Sequence, residues 1–546
     1  VIPLGGLGEI GKNLTVFEYG NDIVVIDCGM TFPDDEMLGV DLVIPDVTYL
    51  VKNADRVRAI LLTHAHEDHI GALPYVLRQL NVPIYCTKLT AGIVKLRLSE
   101  HRNLKKVKII EKKAGDTFQV GAFGVEFIGI NHSVPDPVAI ALNTPVGTVV
   151  DTGDFKIDTT PISGEMLDLT RFGELGKEGV LLLMADSTNA ERPGFAMSEQ
   201  KVGRSLDAQF KGTDKRIIVA TFASNVHRVQ QIINAAARYG RKVAVSGRSM
   251  DNILKVTTEL GYMDVPPNTL IDINLVKKYP DDQLCIITTG SQGEPMSAMY
   301  RMAYGSHKQV EVGPNDKIIL SASPIPGNEE SVYSLINELM RRGAEVVYDR
   351  QAELHVSGHA CQEELKIIMA LTKPKFFMPA HGEFRHLKIN AGLAKATGVH
   401  PNNIFISEIG KVLELTQDSA RFNGSVPCGK VLVDGLGVGD VGAAVLRDRK
   451  HLSQDGLIVA VVTIDSSSHT VVAGPDIVSR GFVFVRDSEE LTEGMRRAAT
   501  AAVAECSRHG IRDWNGLKTT IKDTLADYIF KKTKRNPMIV PIIMEV

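Results

Sequence analysis

The run His64-Ala65-His66-Glu67-Asp68-His69 constrains this 546-residue chain more than any other stretch. It follows a short apolar run at 59–62 and precedes Ile70-Gly71-Ala72-Leu73. Four ligand-type side chains within six positions converge on one point only where the backbone is irregular. Regular strand or helix periodicity would scatter them over different faces. A strand should therefore end here and a loop begin. The theme recurs: apolar runs at 125–130, 146–150, 181–185 and 376–378 lead into His132, Asp154, Asp186 and His381. An apolar strand with a polar ligand just past its end is how a rigid sheet carries a site on its loops. Imidazole together with carboxylate suits zinc, with manganese also admissible.

The rest of the chain falls into recognisable blocks. Strands over 14–19 and 23–26 flank Gly20-Asn21-Asp22, a hairpin signal. From 215 to 347 the pattern changes to strand–helix alternation. Strands are expected over 216–220, 243–245, 284–288 and 318–320. Val226, Val229, Ile232, Ile233, Ala236 and Ala237 mark a helical face that stops at Gly240, and a helix over 331–342 stops at Gly343. This is the grammar of an α/β layer, inserted into a first domain that resumes near Phe376. Residues 426–442, rich in Gly and Val, read as a linker. A strand over 457–464, helices over 488–509 and 514–531, and a strand over 538–544 make a small α+β domain. The division expected is 1–198 and 359–414 for the two parts of the first domain, 199–358 for the insertion, 415–445 for a linker and 446–546 for the C-terminal domain.

Composition excludes several classes. Hydrophobic content of 44% and charged content of 23% are those of a soluble globular protein. No apolar run approaches the ~20 residues of a membrane helix, so no membrane partner is expected. Six scattered cysteines without a C-x-x-C pair fit reduced thiols in a cytoplasmic protein, not a disulfide framework or a zinc-thiolate site. The chain starts at Val1 without a methionine, and a native N-terminal segment is expected to precede it. A net charge of −4 gives no global sign of a nucleic-acid partner, but a channel needs only a local field. Lys95, Arg97, Arg102, Lys105, Lys106, Lys108, Lys112 and Lys113 form a locally basic stretch, either such a face or a solvated surface. Gly6-x-Gly8-x-x-Gly11 matches a dinucleotide-binding fingerprint, but a strand follows it where that motif needs a helix.

H-x-H-x-D-H after a short strand resembles the metallo-β-lactamase superfamily, which implies an α/β fold of the αββα sandwich type. On that resemblance His64, His66 and His132 hold one zinc, Asp68 and His69 the other, and Asp154 bridges them. Asp27, closing the second strand, would orient a ligand loop; by itself it reads as a turn residue. Asp186 in Ala-Asp-Ser-Thr-Asn-Ala, then Ser357-Gly358-His359-Ala360 and Pro379-Ala380-His381-Gly382-Glu383, resemble the motifs of the β-CASP nucleases. They imply that the inserted unit is a β-CASP domain, that His381 completes the second zinc site and that His359 faces the scissile phosphate. Asp68, Asp186 and His359 would carry the chemistry. The opening Gly5-Gly6-Leu7-Gly8-Glu9-Ile10-Gly11-Lys12-Asn13, the segments 222–228 and 290–295, the linker 433–442 and the C-terminal domain are similar to the ribonuclease J family over essentially the whole chain.

That resemblance implies a ribonuclease using two Zn2+ per subunit, with Mn2+ or Mg2+ as alternatives in activity. It would cut 5′→3′ from a 5′-monophosphate and also internally, in ribosomal RNA processing and messenger RNA decay. Ser224, Asn225, Val226, His355, Val356, Ser357, Gly358, His359 and Ala360 would form the nucleotide pocket. Physically, Ser224 and Ser357 each precede a helical pattern, and free amides at a helix start make an anion site. The plainer reading makes both serines N-caps. His227 and His355 read equally as pocket or core residues, and Asp41 with Asp434 as a structural calcium site. A homodimer or homotetramer and partners in an RNA-degradation complex are further implications. A β-CASP nuclease acting on DNA and a small-substrate metallo-hydrolase remain the competing readings.

Overall fold

The computed structural model describes residues 1–101, 104, 106–325, 327–348, 353–466, 470–482 and 489–546. By internal contacts it divides into two compact units, residues 1–31 with 43–431, and residues 32–42 with 432–546.

The first unit is built on two six-stranded sheets. One runs in the order Ile2–Gly5, Leu14–Tyr19, Asp22–Ile26, Val57–Leu61, Ile84–Cys86 and Ile109–Glu111. The other runs Phe376–Ala380, Val180–Asp186, Gly147–Asp151, Val138–Thr144, Phe123–Gly129 and Thr117–Val120. Strand alternation sends Val24, Ile26, Ala59 and Leu61 of the first sheet and Phe127, Ile140, Leu182 and Met378 of the second into one shared core. On its outer face the second sheet buries Ile128, Ala141, Leu183 and Phe377 against helices Leu169–Glu178, Gln362–Thr372 and Phe384–Ala396. Helices thus flank two face-to-face sheets, the αββα arrangement. The strand Phe376–Ala380 pairs in parallel with Val180–Asp186, Asp186 opposite Ala380, although almost two hundred residues separate them. That pairing delivers the residue after Ala380 to the end of the strand carrying Asp186.

Between those two strands the chain forms a five-stranded, wholly parallel sheet. Its order is Lys242–Ser246, Leu284–Thr288, Arg216–Ala220, Asp316–Leu320 and Glu345–Tyr348. The strands Arg216–Ala220, Leu284–Thr288 and Asp316–Leu320 are almost fully buried, as parallel sheets covered by helices require, while the edge strand Glu345–Tyr348 is partly exposed.

In the second unit Leu457–Ile464 lies between Val471–Arg480 and Met538–Glu545. Its even positions Ile458, Ala460, Val462 and Ile464 are buried with residues of helices Glu489–His509 and Trp514–Thr533. Residue 488, expected to open the first of these helices, lies outside the described residues. Three features depart from the expectation for this region. The strand Val471–Arg480 and the helix Ala443–Asp455 were not anticipated. The stretch read as a linker also carries strands, with Val433 paired to Val438 and Asp434 to Gly437 around Gly435 at φ 57°. The glycines there serve a tight turn, not a flexible tether.

All six cysteines are unpaired. No helix among the described residues is long and apolar enough to cross a membrane.

Candidate metal centre

The strand Val57–Leu61 ends three residues before His64, and His66 caps the one-turn helix Glu67–Ile70 from an extended conformation. That change of backbone direction sends His64 and His66 to one side and Asp68 and His69 to the other. Two clusters result, each of four ligand atoms lying within 4.8 Å of one another: His64, His66, His132 and Asp154, and Asp68, His69, Asp154 and His381. In the first, His66 Nδ1 is 3.1 Å from both His64 Nε2 and His132 Nε2, and Asp154 Oδ2 lies 3.8 and 3.9 Å from the same two nitrogens. In the second, His69 Nε2 is 3.2 Å from Asp154 Oδ2 and 3.5 Å from Asp68 Oδ2, while His381 Nε2 is 3.4 Å from Asp68 Oδ2. Asp154 belongs to both clusters. A third group adds Asp186 and His359 to Asp154 and His381. There, however, His359 Nδ1 is already bonded to Asp186 Oδ2 at 2.8 Å.

The back side of the site fixes the rings. His69 Nδ1 meets Asp27 Oδ2 at 2.6 Å, and Asp27 also accepts from the Thr63 amide and hydroxyl. His132 Nδ1 donates to Gly358 O at 2.7 Å, and His64 Nδ1 lies 3.0 Å from Thr63 Oγ1. Each of these imidazoles therefore keeps Nε2 for the centre. Burial and the neighbouring imidazoles hold His64 and His132 well below the ordinary histidine range, and burial pushes His66 down to about 4. Neutral imidazoles result, as metal ligation needs. Burial disfavours charge on Asp68 and Asp154, yet His69 and His381 hold both carboxyls ionised, well below their usual range. Burial likewise opposes protonation of His381, but the Asp154 and Asp68 carboxylates push it up to about 10, and they hold His69 well above its ordinary value. His381 Nε2 is buried without a hydrogen-bond partner while facing Asp68. A buried orphan nitrogen costs about 1–3 kcal/mol, which a divalent cation held by these donors would offset. The donor set of imidazoles and carboxylates, without thiolate, fits a borderline divalent ion.

The segment expected to bind a nucleotide takes a different local form from that anticipated. Helix Gln362–Thr372 is capped by Cys361 and Glu364, and helix Val226–Arg238 by Asn225; neither Ser357 nor Ser224 is a cap. The Gln362 and Glu363 amides donate to Arg192 O and Gly194 O, and Glu364 accepts from Cys361, Ala196 and Ile157. Those helix-start amides are therefore committed within the protein. Ser357-Gly358-His359 forms a loop pinned by Asn189, whose Nδ2 donates to Ser357 Oγ (2.8 Å) and His359 O (3.0 Å). Arg228, fully buried against Glu199, donates to Leu354 O and Ser321 Oγ and so ties the start of this loop to the parallel sheet. His355 Nδ1 is buried and unpartnered, its pKa pushed to about 3 by burial and by Arg228, Arg192 and Lys156. His227 Nδ1 lies 3.2 Å from Ser163 Oγ. Asn189 and Arg228 lie within motifs noted in the sequence, but the residue patterns assigned neither a role.

Two further groups named from the sequence take definite partners. Asp434 is paired with Arg449, and Asp41 Oδ2 accepts the Gly435 amide. The guanidinium supplies the positive charge that a calcium ion was expected to bring. In the basic stretch Lys95 pairs with Glu111 and Arg97 with Glu67 and Glu100; Arg102 and Lys105 lie outside the described residues.

Comparison with known families gives this geometry its class. Residues 7–171 match the metallo-beta-lactamase superfamily and residues 343–406 the Zn-dependent metallo-hydrolase RNA specificity domain. Residues 214–339 match the ribonuclease J beta-CASP domain and residues 444–546 the ribonuclease J C-terminal domain. Over its full length the chain is 45% identical to ribonuclease J 1 of Streptococcus pyogenes, covering 97% of that protein. It is 43% identical to ribonuclease J2 of Bacillus subtilis and to ribonuclease J of Thermus thermophilus, covering 98% and 95% of them. The chain belongs to the ribonuclease J family. A solved structure of a protein of unknown function from Enterococcus faecalis V583 shares the fold over 77% of this chain and 99% of its own, with a TM-score of 0.53 at 18% identity.

Proposed function

We propose that this chain is a two-metal ribonuclease in which His64, His66, His132 and Asp154 hold one ion and Asp68, His69, Asp154 and His381 the other. The observation that carries the reading is the Asp154 carboxylate shared by both donor clusters. The ions are zinc on the donor chemistry, with manganese or magnesium able to support turnover. When bound, two such ions would supply a water of near-neutral pKa and would offset charge building on the phosphoryl oxygens.

The residues of the chain do the rest. Asp27, Thr63 and Gly358 O orient the ligand rings. Asp154, anionic and buried, keeps the two clusters in one register. Asp186 holds His359 by Nδ1, leaving Nε2 to stabilise the phosphoryl and leaving 3′ oxygens. Attack by water leaves a 5′-phosphate and a 3′-hydroxyl, with no covalent enzyme intermediate. Ser224, Asn225, Val226 and the segment 355–360 form the nucleotide pocket, holding a 5′-phosphate near the scissile bond in 5′→3′ cleavage. Endonucleolytic cutting uses the same centre. Cellular roles in ribosomal RNA maturation and messenger RNA decay, a cytoplasmic location, a homodimeric or homotetrameric state and partners in an RNA-degradation complex are proposed with it, on the resemblance to the family. The domain limits given above belong to the same reading.

The test is product analysis on labelled RNA and DNA carrying 5′-monophosphate or 5′-triphosphate ends. Mononucleotide release from monophosphorylated RNA is expected, with longer fragments from either end type marking internal cleavage. Equal or faster cutting of DNA, or no cleavage of either polymer, overturns the proposal.

A further inference from the structure

We infer that Asn13, presented by the glycine-rich opening loop, is the positioning residue that sets the affinity of the second ion. The inference rests on the two-metal assignment proposed above. Asn13 donates to Asp68 O through both its backbone amide (3.0 Å) and its Nδ2 (3.1 Å). The same Nδ2 lies 3.4 Å from Asp68 Oδ2 and 3.0 Å from His69 Nε2. Gly29 N returns a bond to Asn13 O at 2.9 Å, and a Cβ at Gly29 would overlap Asp68 O. A Cβ at Gly6, whose φ is 79°, would overlap Asn13 Oδ1. A Cβ at Gly5 would overlap Lys12 O, so the small residues of the opening motif and Gly29 leave room for Asn13 and for the backbone at Lys12 and Asp68, a close approach that a phosphate-binding glycine loop would also need.

The other side of the loop reaches the remaining donor. Gly382, the residue after His381, donates its amide to Gly6 O and forms bridges with Leu7 and Glu9. Fully buried Lys12 locks the turn by pairing with Glu9 at 2.9 Å and donating its amide to Met30 O. Residues 5–13 therefore touch the chain at Asp68, beside His69 and beside His381, which are the three donors of the second cluster other than the shared Asp154. Among the described residues no hydrogen bond joins this loop to His64, His66 or His132. The loop acts on one ion and not the other.

The experiment is a zinc titration of metal-depleted protein against a chromophoric chelator, with cobalt absorption spectra as a second readout. In Asn13→Ala the first ion should bind at the wild-type concentration. The second should need about 10–100-fold more free zinc, the usual cost of losing a partner behind a ligand. kcat should recover as zinc is raised. Asn13→Ser, which keeps a donor on a shorter arm, should lie between, and it decides the matter if Asn13→Ala does not fold. Binding of both ions at wild-type concentrations, or joint loss of both, overturns the inference. A wild-type chain that binds fewer than two ions fails the two-metal assignment instead.

Discussion

Replacing Asp27 by Asn and by Ala separates the electrostatic from the structural work of one buried carboxylate. Asp27 is 4% exposed and sits at φ 62°, a left-handed conformation that Asn tolerates nearly as well. In Asp27→Asn the amide oxygen can still accept from Thr63 N, now 2.9 Å away. What disappears is the charge facing His69 Nδ1 at 2.6 Å. A charge-assisted hydrogen bond of this kind is worth about 1.5–3 kcal/mol, so the second ion should bind about 10–100-fold more weakly. The metal-depleted fold loses the same bond in both variants. Asp27→Ala also orphans the buried Thr63 amide, about 1–3 kcal/mol, and places a β-carbon without a polar group in the left-handed region, about 1–2 kcal/mol. Urea unfolding of metal-depleted protein should therefore place Ala about 2–5 kcal/mol below Asn, while zinc titration shows the weakened ion for both. Wild-type affinity for the second ion in Asp27→Asn, or equal stability of the two variants, refutes the reasoning.

Asp186→Asn should lower kcat about 10–100-fold and leave RNA affinity within about twofold, because it removes a charge-assisted bond to His359 and no RNA contact. His359→Ala should cost kcat more, in the range of about 10²–10³ typical of losing a donor that stabilises transition-state charge; single-turnover kinetics with filter binding reads both, and a loss confined to affinity removes His359 from the chemistry. A Cβ at Gly358 would lie 2.6 Å from His132 Cε1 and Nδ1. Gly358→Ala should therefore weaken the first ion about tenfold, and unchanged first-ion affinity in a zinc titration contradicts that contact. Metal-depleted His381, pushed to about 10, and His69, held well above its ordinary value, are protonated near neutrality. Each must release a proton to ligate, so affinity for the second ion should rise between pH 6.5 and 8.0 by up to about tenfold per unit per proton. A pH-independent affinity with no proton release contradicts those protonation states.

The chain announced its strands where β-branched runs are bounded by turn residues. The strands at 14–19, 216–220, 284–288 and 457–464 lie where the pattern put them. Val471–Arg480 was hidden because Gly474, Pro475 and Asp476 interrupt it, residues that ordinarily argue against a strand. Helix Ala443–Asp455 buries no residue, so it has no apolar stripe to read. The ligand candidates were legible because His64 to His69 are local in sequence and the others end apolar runs. Their supports were not, since those contacts are distant along the chain: Asn13 with Asp68, Asn189 with Ser357, Arg228 with Leu354. The partners of the Gln362–Thr372 helix start were hidden for a related reason. Sequence shows where a helix can begin, but not that Glu364, Arg192 and Gly194 will claim its amides.

Mass spectrometry of products formed in 18O-enriched water tests most directly whether these clusters activate water against an RNA phosphodiester. Limited turnover of 5′-monophosphorylated RNA should place one heavy oxygen on the new 5′-phosphate and leave an unlabelled 3′-hydroxyl. Products ending in a 2′,3′-cyclic phosphate, or an unlabelled 5′-phosphate, would contradict it.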